Sequence, residues 1–219
     1  MTGTDTGVGK TLMACALLRA FVARGYRCVG MKPVASGAES RDGVLVNADV
    51  EELLAAGNVD APRQHVNPYC FAPAIAPHIA AARASEAITL DRVAAGYRHL
   101  TGLAQLVIVE GVGGFRVPLG DGDTAEMAKR LALPVVLVVA MRLGCLNHAL
   151  LTVEAIAARG LRLAGWVANH LDPDMPAADE NVSALQGLIA APLLARIAHG
   201  AHRNAAAVAA ALDADALLR

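Results

Sequence analysis

The sequence predicts an α/β fold, an open parallel sheet with helices on both faces. Three observations carry this prediction. Short apolar runs that do not alternate with polar residues recur along the chain, as strands buried on both faces require. Segments with apolar residues at helical spacing separate those runs. A glycine-rich stretch at the start opens straight into one such segment, an arrangement that aims free N–H groups at an anion.

Taken in order, residues 2–11 read TGTDTGVGKT. The standard phosphate loop (P-loop) is G-x-x-x-x-G-K-[ST], with backbone N–H groups around the phosphates, a lysine on the outer ones and a hydroxyl on Mg²⁺. Gly9, Lys10 and Thr11 fit the closing half, whereas Thr4 stands where the opening glycine belongs and Gly3 is the nearest candidate. Thr4, Asp5 and Thr6 therefore place side-chain oxygens where most such loops keep bare backbone. A helix is expected over Leu12–Arg24, stopped by Gly25. Strands are expected at Arg27–Met31, Leu106–Val109, Val135–Ala140 and Ala164–Ala168, with a weaker candidate at Leu193–Ile197. Further helices are expected at Leu90–Leu103, Thr124–Leu131, Leu146–Arg159, Asp179–Ile189 and Asn204–Leu218. Residues 33–48 and 57–89 read as long loops, which inside a compact domain are often functional. One element is truncated. The phosphate loop should hang from a central strand, yet only Met1 and Thr2 precede Gly3, which would leave backbone groups on both sides unpaired. A true start several residues upstream is the expected explanation.

At 219 residues the chain suits one domain, 1–219, able to bury a core as one unit. A composition that is 55% apolar and 3% aromatic fits a packed helix-and-strand globule and argues against disorder. A net charge of −1 provides no electrostatic footprint for nucleic acid. The longest apolar run, 131–141 with Pro134 allowed, is too short to span a bilayer, so no membrane partner is expected. No charged-then-apolar leader precedes the phosphate loop, and Cys15, Cys28, Cys70 and Cys145 form no C-x-x-C pair. A reduced, cytoplasmic setting is expected.

In open α/β sheets, ligands collect beyond the carboxyl ends of the strands. Lys32 follows one strand and opens KPVASG, where Pro33, Ser36 and Gly37 make a shaped loop. A second cation near the phosphates would offset charge developing during phosphoryl transfer. Glu110 ends LVIVE and runs into GVGG, like the acidic strand end that holds Mg²⁺ in phosphate-loop enzymes. Gly111, Gly113 and Gly114 let backbone pass close to a ligand. Asp49, in NADVEELLAAG, reads on its own as an N-cap or first-turn acid, with a metal ligand the lesser alternative. Asn169 ends another strand and offers both amide donor and acceptor to a base edge. His78 and His148 read as structural or capping, since neither has a Ser or Cys partner at a motif spacing.

Assembled, these segments resemble the dethiobiotin synthetase family, ATP-dependent ring-closing enzymes of biotin synthesis. The matching stretches are TGTDTGVGKT, GMKPVASG, NADV, NPYCFAPAIAPHIAA, VIVEGVGGFRVPL, LPVVLVVAMRLGCLNHALLT, LAGWVANHL and APLLARI. They cover nearly the whole chain, and their joint order is far more specific than any phosphate loop. The resemblance implies a P-loop NTPase-like fold. It also implies three substrates: 7,8-diaminononanoate, CO₂ and ATP with Mg²⁺. It implies a carbamate, its phosphorylated mixed anhydride and closure to the cyclic urea. By the same resemblance Lys10 and Lys32 would be catalytic, Lys10 on the outer phosphates and Lys32 on the carbamate and transferring phosphoryl. Nucleotide would lie along Gly7, Val8, Gly9, Lys10, Thr11 and Leu12, with Asp49 and the Glu110, Gly111, Val112, Gly113 backbone. Asn169, with His170, would read the adenine. Thr11, Asp49 and Glu110 would ligate Mg²⁺ directly or through water, and Thr6 and Ser36 would face the diamine. The active site would form in a homodimer, the partner's Leu143, Gly144 and Asn147 receiving the substrate carboxylate.

The chain departs from the family in three respects. Gly7 stands where a glutamate is often found; Ala198 and His199 follow Ile197 in place of an Ile-Pro pair, with Ala205 near the place of an acidic contact; and the leading strand is short. Base selectivity stays open at this point. A rival reading is a nucleotide-gated dimer switch like the partitioning ATPases, which usually carry an extra lysine early in the loop; Gly3–Thr6 has none. A cobyrinate-type amidoligase would need an attached glutamine-hydrolysing domain, for which 219 residues leave no room.

Overall fold

The computed structural model describes residues 1–201 and 205–218. In chain order, a two-residue strand β1 (Thr2–Gly3) leads through the glycine loop into α1 (Lys10–Ala23), followed by β2 (Cys28–Met31). A sheet-edge excursion comes next: β3 (Val34–Ser36), β4 (Glu39–Arg41), β5 (Val44–Val46), α2 (Ala48–Ala56), α3 (Arg63–Val66), β6 (Tyr69–Phe71) and α4 (Pro77–Arg83). Regular alternation then returns with α5 (Leu90–Leu103), β7 (Leu106–Val109), α6 (Thr124–Arg130), β8 (Val135–Met141) and α7 (Cys145–Ala158). It closes with β9 (Leu163–His170), α8 (Ala178–Leu188), β10 (Leu193–Ile197) and α9 (Ala205–Ala211).

The parallel sheet is real but divided. β1, β8, β9 and β10 form one parallel sheet in that order, and β2 pairs with β7 in another. The division falls at the short first strand. On one side Thr2 and Gly3 pair with Leu137 and Val138. On the other, only Met1 reaches β7: its amino group donates to the Val109 carbonyl at 2.7 Å, and Gly111 N–H donates to the Met1 carbonyl at 3.0 Å. Behind Met1 an apolar slot of about 330 Å³ separates β7 from β8, lined by Leu106, Ile108, Val136, Ala164 and Phe21.

Both faces are covered. Along β8, Val136, Val138 and Ala140 pack with Met13, Leu17 and Phe21 of α1, while Leu137, Val139 and Met141 pack with α7 and α8. Successive residues of a strand point to opposite faces, so an uninterrupted apolar run is what a twice-covered strand needs. A third cluster joins Val29, Met31 and Val109 to Val93 and Leu100 of α5 and Met127 of α6.

The long loops hold more structure than the sequence suggests. β3 and β6 form a parallel pair, Val34 opposite Tyr69, each too short to show periodicity. β4 and β5 form an antiparallel hairpin turning through Asp42 (φ 52°) and Gly43 (φ 80°), a two-residue turn for which Asp-Gly is the favoured sequence. The helix expected over Asn204–Leu218 starts at a residue outside the described ones. Beyond it α9 ends at Ala211, and a 3₁₀ turn, Ala214–Leu217, follows with Asp213 accepting from Ala216 N–H. Among the described residues, no helix is long and apolar enough to cross a membrane.

The amino group of Met1 is the cation nearest the division in the sheet. Burial pushes its pKa down from 8.0 to about 6, opposed by Glu110 and aided by Lys10 and Lys32. Between pH 6 and 8 the unfolded chain keeps this proton while the folded one sheds it. Stability should therefore rise with pH across that window, by about 2 kcal/mol from this group. Adding about five apolar residues ahead of Met1 would turn the amine into a peptide N–H and fill the slot. The extended chain should melt higher in thermal scans and lose that part of the pH-dependent rise. The same extension with alternate prolines should gain nothing, because proline cannot donate to a ladder.

Candidate functional site

Because the strands are parallel, their carboxyl ends share one edge, and the segments leaving them line one cleft of about 840 Å³. The glycine loop forms one wall with Asp5, Thr6, Gly7, Gly9, Lys10 and Thr11. Lys32 and Ser36 come from the segment after β2, Asp49 from α2, and Glu110, Val112 and Gly113 from the segment after β7. Ala74–Pro77, ahead of α4, close the far side.

Backbone contacts fix each of these side chains. The loop enters α1 through Gly9 at φ 96°, a left-handed conformation, and a Cβ there would lie 2.4 Å from Asn169 Nδ2. Lys32 N–H donates to the Val66 carbonyl at 2.9 Å, and Asn67 Nδ2 donates to the Lys32 carbonyl at 2.6 Å. Glu110 N–H donates to the Met31 carbonyl at 2.8 Å, placing two strand ends side by side. Asn47 caps α2 by accepting from Val50 N–H, which leaves Asp49 in the first turn with its carboxylate free for the cleft.

The centre is a charge cluster. Lys32 Nζ donates to Asp49 Oδ2 at 2.8 Å and to Glu110 Oε1. Thr11 Oγ1 donates to the same Glu110 oxygen at 2.9 Å. Glu110 is fully buried, and its Oε2 has no hydrogen-bond partner. Burial alone would lower the Lys32 pKa, but the Glu110 and Asp49 charges outweigh it and hold it above the ordinary lysine value. Burial would likewise raise Asp49, yet Lys32 keeps it below the usual carboxylate range. For Glu110 burial wins over the pull of Lys32, and its pKa is raised. Lys10 donates instead to the Asp5 carbonyl at 2.8 Å; burial, reinforced by Lys32, pushes its pKa down to about 8. An anion such as a phosphate beside it would raise that pKa again. Ser36 Oγ is buried without a partner and faces the same cleft.

The donors suit a hard divalent ion. Among the described residues, no three His, Cys, Asp or Glu side chains gather as a metal cage. Two carboxylates and a threonine hydroxyl, one carboxylate oxygen lacking any partner, are the set that Mg²⁺ uses alongside phosphate oxygens and water.

Not every residue expected at the site lines the cleft. Val8 is buried beneath the loop against Gly3, and Leu12 is half-buried in the α1 core. Gly111 is engaged with Met1. Asn169 is buried behind the loop, where its Nδ2 donates to the Val8 carbonyl at 2.8 Å. His170 lines a separate surface depression with Asp179, Arg196 and His199. Leu143, Gly144 and Asn147 lie on the surface around the start of α7, with Leu143 96% exposed. The cleft takes in Asp5 and Gly114, named above for the loop and the glycine turn, and also residues that spacing alone did not single out: Ala74–Pro77 and Val117. The stretch NPYCFAPAIAPHIAA carried that signal as a block, without showing which residues face inward.

Comparison with known proteins bears on the family and the fold. The family described as AAA domain matches residues 1–207. The ATP-dependent dethiobiotin synthetase BioD of Aromatoleum aromaticum is 55% identical over 213 residues, 97% of this chain and 95% of that protein. Among solved structures, the septum site-determining protein MinD of Pyrococcus horikoshii, complexed with Mg-ADP, is similar at a TM-score of 0.52 and 16% identity. That match covers 95% of this chain and 84% of MinD. Cobyrinic acid a,c-diamide synthase of Mycobacterium smegmatis, with bound ATP analogue and magnesium, matches at 0.51 and 15% identity, covering 99% and 91%. At such identities the structural likenesses establish the P-loop NTPase fold alone.

Asn169→Ala would strip the buried Val8 carbonyl of its donor. We expect a loss of about 2 kcal/mol in denaturant unfolding. An unchanged midpoint would show that the loop does not rest on this bond.

Proposed function

Because the chain belongs to the dethiobiotin synthetase family, we propose that it closes the ureido ring of dethiobiotin from 7,8-diaminononanoate, CO₂ and ATP. Family membership makes it an ATP-dependent ligase; the chemistry below is our reading of its cleft. The observation that carries it is the meeting of two lysines, two carboxylates and a phosphate loop in one cleft.

One amine of the diamine attacks CO₂ and sheds a proton, giving a carbamate. A carbamate oxygen attacks the γ-phosphorus and ADP departs. The second amine attacks the carbonyl carbon of this mixed anhydride, and phosphate leaves with the carbamate oxygen. Little covalent work falls on the protein, so positioning and charge stabilisation dominate. Lys10, its pKa lowered by burial to about 8, is held in its charged form by the outer phosphates. Lys32 neutralises charge on the carbamate and the transferring phosphoryl group. Thr11, Asp49 and Glu110 would hold Mg²⁺, which would screen the phosphate charge. Thr6 and the partnerless Ser36 hydroxyl face the diamine. Gly9 and the Glu110–Gly113 backbone lie along the nucleotide, which the Asn169 side of the loop approaches at the base. A second copy covers the exposed start of α7, where Leu143 and Leu151 face solvent, and its Gly144–Asn147 turn receives the substrate carboxylate.

ADP release should require both the diamine and bicarbonate. Release that ignores the diamine would favour a nucleotide-gated switch instead. Lys32→Ala should retain ATP binding in calorimetry while turnover falls by about 10²-fold or more. Equal loss of affinity and rate would reduce Lys32 to a nucleotide contact. Glu110→Gln should raise the Mg²⁺ concentration needed for half-maximal rate, and an unchanged titration would remove Glu110 from the metal's surroundings.

A further inference from the structure

Lys32 is bonded to both carboxylates read above as ligands of the divalent ion. Its Nζ is bonded to Asp49 Oδ2 and Glu110 Oε1, and Thr11 Oγ1 is bonded to that same Glu110 oxygen. The oxygens read above as ligands of the ion are thus the groups that enclose the ammonium. Glu110 Oε2 is still without a partner, but an ammonium and a divalent cation on the same pair of carboxylates in a buried site would repel each other severely. Nor can the two carboxylates stand without a cation, since Glu110 is fully buried and Asp49 is directed at the same point. Lys10 does not fill that role, because its Nζ is engaged by the Asp5 carbonyl.

We propose that Lys32 is a tethered stand-in for the metal. Without nucleotide, its ammonium neutralises the Glu110–Asp49 pair. When a divalent ion arrives with the phosphates, it takes over the carboxylate oxygens, and Nζ swings out towards the group being phosphorylated. The backbone of Lys32 is pinned by Val66 and Asn67, so the motion is confined to the flexible four-carbon stem. The incoming phosphates supply the anion that receives the displaced charge. One event thereby loads the metal and delivers the lysine. This rests on the functional reading for the destination of Nζ, but the exchange itself concerns only this chain and a metal ion.

The consequence is measurable without catalysis. If the carboxylates are held by Lys32, the fraction of protein competent for bare metal is small and the apparent affinity falls by that fraction. Mn²⁺ binding to the full chain, followed by electron paramagnetic resonance without nucleotide, should be weak in the parent. It should be about tenfold tighter or more in Lys32→Gln, which keeps a hydrogen-bond donor but no charge. Lys32→Arg, which keeps the charge, should bind Mn²⁺ as weakly as the parent. In thermal scans Lys32→Gln should melt lower than the parent in EDTA and recover with Mg²⁺, whereas the parent should shift little. Equal Mn²⁺ affinity in the parent and Lys32→Gln would overturn the proposal. So would a Lys32→Gln protein that stays unfolded at every Mg²⁺ concentration, since the ion would then be unable to replace the ammonium. ADP release by the parent on the same preparations separates the two ideas. Absent diamine dependence with the Mn²⁺ gain intact sinks the ligase reading alone; the reverse pattern sinks the stand-in alone.

Discussion

A buried ammonium between two carboxylates organises this cleft. Lys32 follows β2, Glu110 follows β7 and Asp49 sits in the first turn of α2, so one charge cluster ties three elements that are far apart in sequence. Buried ion pairs are seldom strong sources of net stability, because desolvation offsets most of the attraction. Their geometry is unforgiving, however: removing Lys32 leaves the fully buried Glu110 carboxylate with neither water nor a cation. The cluster therefore acts as an alignment device, setting the ends of β2 and β7 against the glycine loop through the Thr11–Glu110 bond. That alignment is what a reaction run mainly by positioning needs.

The same alignment has to survive a weak centre in the sheet. Among the described residues only Met1 bonds β7 to the strands beyond, and two hydrogen bonds cannot carry that load. The packing of α1 does so instead. Its buried face meets Cys28 of β2, Val136 and Val138 of β8, and Leu53 and Ala56 of α2 within one continuous cluster. The buried alanines Ala14, Ala16 and Ala20 let this helix approach closely at those positions, while Met13, Leu17 and Phe21 fill the space between. The phosphate loop is thus anchored chiefly by the helix it starts, and the strand before it contributes less.

Much of the architecture could be read from the chain because it follows from burial. Runs such as VVLVVAM and LVIV cannot face water on either side, which fixes them as interior strands, and their observed bounds lie within a few residues of those expected. Lys32 and Glu110 were legible because a charge at the end of such a run sits at the ligand-binding edge. Other features depend on partners distant in sequence. β3 pairs with β6 across more than thirty residues, leaving no local pattern in either. The Asp42-Gly43 hairpin was locally visible but concealed inside a stretch read as loop. That Asn169 would lie behind the loop, rather than open to the cleft, required knowing that β9 runs beside β8 and so under Val8.

The lock on Asn169 has a chemical corollary. One N–H of its amide is committed to the Val8 carbonyl, so the protein itself fixes which end of the side chain donates and which accepts. The loop backbone at Val8 is thereby tethered to the end of β9, and whatever the loop cradles inherits the position of that strand.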